Sequence, residues 1–466
     1  METSYDVTIW QIKARKNAKG KVTSYRVRWL VDSHEHHKTI RNKTQAESFR
    51  SKLVVAASRG EAFLVAEPGL PVSMLRNKSG TPWFEFAQKY VDMKWKRAAA
   101  KSRSGIADTL ATVTPALLTT ERGRPDPEVL RRAMTGWAFN ATHRDDPRPH
   151  EIEKALRWLA ENTRPVSDLQ DLALLRTVLE QLASKLNGEM ASAKTFGRKR
   201  AVFHNALEYA VELKEVDLNQ LPKVKWTPPK KARAIDKRTV AINPRQAERL
   251  LAAVEAQQVE GQPRRSSGPM LRAFFAVIYY SGLRPEEVAM LSKPDLLLPG
   301  DGWGELLPSK AAPVAGAAWT DSGSRRDRRQ LKQRAEGEVR HVPCPPQLTK
   351  ILHEHLSRHG TARDGRLFRN MDGGDVDETT VARVWRKARV QALTPEEAAS
   401  PLVRRPYDLR HACVSTWLAA GVPSTQVAEW AGHSVTVLHE IYAKVLAGLE
   451  QNYRRRIQTV LDEAPE

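Results

Sequence analysis

The chain has 466 residues, 41% of them hydrophobic, which allows about three domains with packed cores and excludes a wholly disordered protein. Lys and Arg number 75 against 54 Asp and Glu, a formal charge of +21 with a sequence pI near 10.0. That balance leaves open a solvated basic surface or an anionic membrane face but points first to a polyanionic partner. The sequence has no run of about 18 apolar residues and no leader-like pattern, so a cytoplasmic protein is expected.

The first predicted element is a small sheet. Thr8, Trp10 and Ile12 alternate, a turn follows at Asn17–Gly20, and Tyr25, Val27, Trp29 and Val31 then alternate with Arg26, Arg28 and Leu30. A period of two, with one apolar and one basic face, predicts strands. His37–Arg41 predicts a third strand, and Thr44 with Glu47 has the spacing of a capping box opening a helix through Leu53. Residues 1–66 are therefore expected as a three-stranded sheet plus a helix. Arg26 and Arg28 lie on its open face, either simply solvated or as DNA contacts.

Glu67–Pro82 is rich in Pro, Gly and Ser and predicts a linker. Residues 80–225 predict a helical domain. Trp83, Phe86, Ala87, Tyr90 and Val91 form one helical stripe, and Thr119–Pro149 predicts a loop-bearing insertion. A helix starting near Ser192 sets Lys194, Arg198 and Lys199 against Phe196, Val202 and Phe203. Its basic side suits a phosphate backbone as well as it suits water. Lys223–Arg238 predicts an extended basic linker. Asn243-Pro244 marks the cap of the next helix, and residues 240–466 predict a mostly helical domain with a β-rich stretch near 300–345. The fold class expected is multidomain, mainly α with small β-sheets. Cys344 and Cys413 lie in no metal-ligand spacing, and Cys413 falls on a predicted buried helix.

Three segments of the last domain belong together. They are Tyr280-Ser281-Gly282-Leu283-Arg284-Pro285-Glu286-Glu287-Val288, then Tyr407-Asp408-Leu409-Arg410-His411, then Gly432-His433-Ser434 with Tyr442 nine residues after His433. This ordered set resembles the active-site boxes of the tyrosine recombinase, or phage integrase, family. The likeness implies a recombinase catalytic domain at 240–466 and a helical core-binding domain at 80–225. It also implies an arm-type DNA-binding domain at 1–66.

Breaking a phosphodiester without a metal requires a nucleophile, positive charge on the non-bridging oxygens and an acid for the leaving oxygen. The resemblance assigns Tyr442 as nucleophile, Arg284 and Arg410 to the phosphate, and His433 as a further phosphate donor. Paired guanidinium hydrogen bonds explain why arginine rather than lysine serves there. Glu287, three residues after Arg284, is placed to orient it. The family's lysine, the general acid, lies on a hairpin before a Val-Pro strand. Lys332 before Val342-Pro343, with Glu336-Gly337-Glu338 as the turn, fits first, and Lys310 is the fallback. Where the family has a histidine three residues before the second arginine, this chain has Tyr407, and a phenol is a poor base near neutral pH. Tyr407 is expected to hydrogen-bond the phosphate or Tyr442. His411 points about 100° from Arg410 on a helix and is expected to be structural. Tyr453 is the competing tyrosine.

The function expected is a site-specific recombinase that integrates a phage or other mobile element. It would act on double-stranded DNA as a homotetramer near the nucleoid, with no cofactor or metal, and with an excisionase as a further partner. The alternative is a non-catalytic DNA-binding protein that keeps the fold. A topoisomerase relative would use similar chemistry but needs no arm-like sheet.

Overall fold

The computed structural model describes residues 2–16, 20–72, 74, 80–230, 241–257, 267–332, 334–335, 337–370, 372–447 and 450–462. Asn17–Lys19 of the expected turn, Lys231–Arg238 of the basic linker, Glu336 and the side chain of Tyr453 lie outside the described residues. The chain is mainly helical with small antiparallel sheets and divides into two units, residues 1–232 and 233–466. No described helix is long and apolar enough to cross a membrane.

The first unit opens with β1 (Thr3–Ser4), β2 (Val7–Ile9), β3 (Lys13–Lys16), β4 (Val22–Val31) and β5 (His34–Ile40). Helix α1 (Lys43–Ser58) and β6 (Phe63–Leu64) follow. β4 pairs antiparallel with β5 along one edge and with β2 and β3 along the other. Its alternation holds: Val27, Trp29 and Val31 are buried against Ala46, Leu53 and Ala56 of α1. Each large apolar side chain buried this way stabilises the fold by roughly 1.5–3 kcal/mol. Two details differ from the sequence expectation. Lys13–Lys16 adds a strand whose exposed residues carry no alternation to read. The α1 cap is Asn42, whose side chain accepts from Gln45 N at 3.2 Å, so Thr44 already lies inside the helix.

The rest of this unit is helical: α2 (Trp83–Trp95), α3 (Ala100–Val113), α4 (Pro127–Ala133), α5 (His150–Glu161), α6 (Leu172–Ala183) and α7 (Ala193–Glu212). The α2 stripe Trp83, Phe86, Ala87, Tyr90 and Val91 is buried as its spacing requires. The stretch 119–149 is more ordered than a loop. Asp126 caps α4 by accepting from Glu128 N at 2.8 Å, and Pro127 starts the helix. A π-turn at Met134–Ala138 continues α4, and Leu130, Ala133, Met134, Ala138 and Phe139 are buried. The Asp and Pro that suggest a loop are here a helix start.

The second unit contains α8 (Pro244–Glu255), α9 (Gly268–Ser281), α10 (Pro285–Val288), β7 (Leu296–Leu297), β8 (Gly304–Leu306), β9 (Lys310–Ala311), β10 (Arg329–Gln330) and β11 (Val342–Cys344). It continues with α11 (Pro346–His359), α12 (Glu378–Ala392), α13 (Pro395–Ala399), α14 (Asp408–Ala419), α15 (Ser424–Ala431), α16 (Val435–Ala447) and α17 (Glu450–Asp462). α8 starts at the expected Asn243, in a capping box with Gln246. α9 is apolar nearly all round and runs through the core, with Leu271 and Ala273–Tyr279 buried. β8 pairs with β7 and β11, and β9 pairs with β10. A smaller core joins α14, α15 and α16 through Val414, Leu418, Val427, Ala428, Ala431, Leu438 and Tyr442.

Candidate active site

Two helix ends build the centre of the second unit. α9 stops at Gly282, whose φ of 61° is left-handed and favours glycine. A Cβ there would also meet Trp417 at 3.2 Å and Cys413 Sγ at 3.3 Å. α15 stops the same way at Gly432, φ 61°, where a Cβ would lie 2.6 Å from Arg340 Nη1. Helix C-termini leave carbonyls unpaired and carry partial negative charge, and arginines occupy them here. Arg284 Nη2 donates to Gly432 O at 2.7 Å. Arg410, fully buried, donates to Gly282 O and Ala431 O.

One carboxylate ties the cluster together. Glu287, 2% exposed, accepts from Arg284 Nη1 at 2.7 Å and from the Arg284 backbone N at 2.9 Å. Arg340 grips both of its oxygens, at 3.1 and 2.6 Å. Burial pushes the Glu287 carboxyl up, but Arg340 and Arg284 outweigh it and hold it down to about 2. The expectation that Glu287 orients Arg284 matches this geometry. Arg340, itself 2% exposed, was not anticipated; its only sequence signal is its place two residues before Val342.

His433 Nε2 lies 2.8 Å from Arg410 Nη2. Guanidinium only donates, so Nε2 accepts and Nδ1 carries the hydrogen. Burial, then Arg410 and Arg284, hold this histidine neutral, down to about 3. Three arginines thus surround one carboxylate. Among the described residues, Arg340 Nε, Arg410 Nε and His433 Nδ1 are buried without a hydrogen-bond partner. Surplus positive charge with unpaired donors is the composition of an anion site.

Tyr442 comes to this region on α16. It is fully buried, its Oη lies 2.7 Å from His411 Nδ1, and burial pushes its phenol above the ordinary range. His411 sits on α14 directly after Arg410, and the Tyr407 ring packs edge-on against it at 5.3 Å. His411 faces away from Arg410 as its helical angle requires, and that direction brings it to Tyr442. α16 packs on that side of α14 and sets Tyr442 against it. Tyr407 therefore touches His411, the hydrogen-bond partner of Tyr442, an arrangement that box spacing alone does not reveal.

The lysines fall differently from the expectation. β11 pairs with β8, not with the segment before it, and the nearby two-stranded pair is β9 with β10. Lys310 is exposed on β9, in a stretch bracketed by two hydrogen bonds. Arg340 N donates to Pro308 O at 3.1 Å, and Ala312 N to Glu286 O at 2.9 Å. Lys332 is exposed in the turn after β10. In the first unit, Arg28 pairs with Glu35 at 3.3 Å and lies over the Trp10 ring, while Arg26 is half-buried on the same face. Lys194 and Arg198 are exposed on α7. Lys199 is not: Asp108 and Thr112 hold it at 3.1 and 2.9 Å with 11% of its side chain exposed, so it braces α3.

Residues 241–448 match the model of the phage integrase family. No curated protein matches the chain. Three solved structures are similar at low identity. The Tn1549 transposon integrase with a circular intermediate DNA is 16% identical, covering 67% of this chain and 94% of its own, with a TM-score of 0.44. The XerH site-specific recombinase bound to difH substrate is 13% identical, covering 77% and 91%, at 0.44. A lambda integrase dimer on a COC′ core site is 10% identical, covering 92% and 94%, at 0.48.

Proposed function

From the phage integrase match at residues 241–448, we propose that this chain is a site-specific DNA recombinase that cleaves and rejoins strands through a 3′-phosphotyrosine. The observation that carries the reading is the cluster of Arg284, Arg340 and Arg410 around Glu287, with unpaired buried donors, beside Tyr442. Tyr442 attacks the phosphorus, and Arg284, Arg410 and His433 stabilise charge on the non-bridging oxygens. A lysine of the 310–332 segment protonates the departing 5′ oxygen. The phosphotyrosine conserves the bond energy, so religation needs no external energy source. Tyr442 is fully buried, and attack requires α16 to shift toward the bound phosphate.

The division of labour follows the domain reading. Residues 240–466 carry the chemistry, 80–225 clasp the core site, and 1–66 bind a second, arm-type site through Arg26 and Arg28. Lys194 and Arg198 lie along the backbone. The complex is a homotetramer on DNA, works at the nucleoid in the cytoplasm, and takes direction from an excisionase when it integrates or excises a mobile element.

The test uses a random-sequence library of nicked duplexes. Covalent protein–DNA adducts are captured in detergent and sequenced. The full chain should yield adducts on a defined sequence and Tyr442→Phe none. Sequence-specific binding without any adduct would replace the enzyme by a non-catalytic DNA-binding protein of the same fold.

A further inference from the structure

Attack by a phenol needs somewhere for its proton to go, and the box position expected to hold a histidine holds Tyr407. His411 is buried at 6% exposure with Nδ1 2.7 Å from Tyr442 Oη, within the reach a general base requires. Its ring is fixed between two others. Tyr407 packs edge-on at 5.3 Å and 72°, and the Tyr442 ring lies at 5.7 Å and 59°. Resting on the recombinase reading above, we infer that His411 is the base that takes the Tyr442 proton.

With its hydrogen on Nε2, the imidazole offers the Nδ1 lone pair to the phenol. As Oη bonds to phosphorus, the O–H pair stays on oxygen and the proton passes to His411 Nδ1. The P–O5′ bond breaks, and the 5′ oxygen takes its proton from the lysine. Religation runs the same path backward: the 5′ hydroxyl attacks, and the departing phenolate recovers the proton from His411. Among the described residues, the charged and titratable groups facing this pair include Arg410 and Cys413 of α14, Tyr407 at its start, and His433 after α15. Arg410 favours the phenolate and so eases loss of the Tyr442 proton. Holding His411 and Arg410 on adjacent residues of α14 sets the base at a fixed distance from the phosphate anchor.

The experiment measures single-turnover adduct formation on the nicked duplex recovered by capture. His411→Asn keeps an acceptor near the Nδ1 position but no basicity, and His411→Gln is the second variant. Each is made with tyrosine or 3,5-difluorotyrosine at position 442. Both should keep DNA binding and the melting transition yet slow adduct formation by about 100-fold or more, the usual contribution of a general base. Difluorotyrosine, which releases its proton more readily, should recover at least about tenfold in the variants and change the parent by less than about threefold. Parent-like rates in either variant, or equal slowing with both phenols, would overturn the assignment. The parent chain gives a test that leaves residue 411 untouched. Its acid limb of rate against pH should stay in place when difluorotyrosine is installed, and a limb that followed the phenol would overturn the assignment even if both variants failed to fold. A parent that formed no adduct at all would sink the recombinase reading itself. Normal parent adducts with unaffected variants would sink only the role of His411.

Discussion

At residue scale the site is an electrostatic arrangement that needs all its parts. Arg340 holds Glu287 by two hydrogen bonds at full burial. Glu287 keeps its pairing with Arg284 when Arg340 is removed, so the loss is that of buried charged hydrogen bonds, roughly 1–3 kcal/mol, rather than that of an unpaired buried charge. Arg340→Met should lower stability by about that much in urea unfolding. Arg340→Lys keeps the charge but not the fork, and should slow adduct formation about tenfold or more, since Glu287 then orients Arg284 less firmly. Parent-like adduct formation by Arg340→Lys would remove Arg340 from the site. The box arginines and His433 were legible because their motif residues sit at fixed spacings. Arg340 and His411 were not, because the partner each contacts is distant in sequence: Glu287 is 53 positions from Arg340, and Tyr442 is 31 from His411. A buried histidine elsewhere predicts a pH effect. Burial holds His355 down to about 4 from 6.5, while its bond to Leu367 O opposes the shift. A depressed folded pKa gives stability that is complete above 6.5 and is lost as pH falls toward 4. The urea midpoint should therefore drop between pH 7 and 5, and drop less in His355→Gln; identical slopes would exclude His355 as the cause.

At element scale, helix ends and one hairpin decide the geometry. Gly432→Ala forces a left-handed alanine and a 2.6 Å approach to Arg340 Nη1, so it should cost roughly 1–3 kcal/mol. It should also slow adduct formation, because the carbonyl that holds Arg284 moves with it. A variant with parent-like melting and rate would show that the turn tolerates a side chain. The hairpin separates Lys310 from Lys332. The 308–312 stretch is tied to Arg340 and to Glu286 of α10, whereas Lys332 follows β10 in an exposed turn. Lys310→Ala should slow cleavage of normal DNA strongly, yet far less on a 5′-bridging phosphorothiolate, whose thiolate leaves without a proton. Lys332→Ala should change both substrates alike. The reverse pattern would return the acid to Lys332. Elements with strong periodicity, such as α2 and β4, were readable from sequence. The β8–β11 pairing was not, because an insertion of more than thirty residues separates its strands and local spacing cannot say which edge β11 joins. α4 was missed because Asp126-Pro127 serves equally as a turn and as a helix start.

At the scale of the whole molecule, charge and domain plan make the last prediction. All residues of the arginine cluster, with His411 and Tyr442, lie in the second unit, while Arg26 and Arg28 lie in the first. A chain of +21 that neutralises phosphates displaces counterions, and log affinity then falls with log salt at about −0.9 per phosphate contacted. Affinity for the captured core duplex should fall about 10³-fold or more between roughly 50 and 200 mM salt. A chain lacking residues 1–66 loses the β4 face but none of the cluster. It should form adducts on the core duplex within about threefold of the parent rate, because differential stabilisation of the transition state resides in the second unit. On a longer DNA that also carries a distal site, it should bind more weakly and with a shallower salt slope than the parent, since fewer phosphates are then neutralised. The two measurements separate the possible roles of the sheet. Lost core cleavage would mean that residues 1–66 support the catalytic unit. Equal affinity and equal slope on every DNA would mean that the basic face of β4 is only solvated surface, and the arm-site proposal would fall.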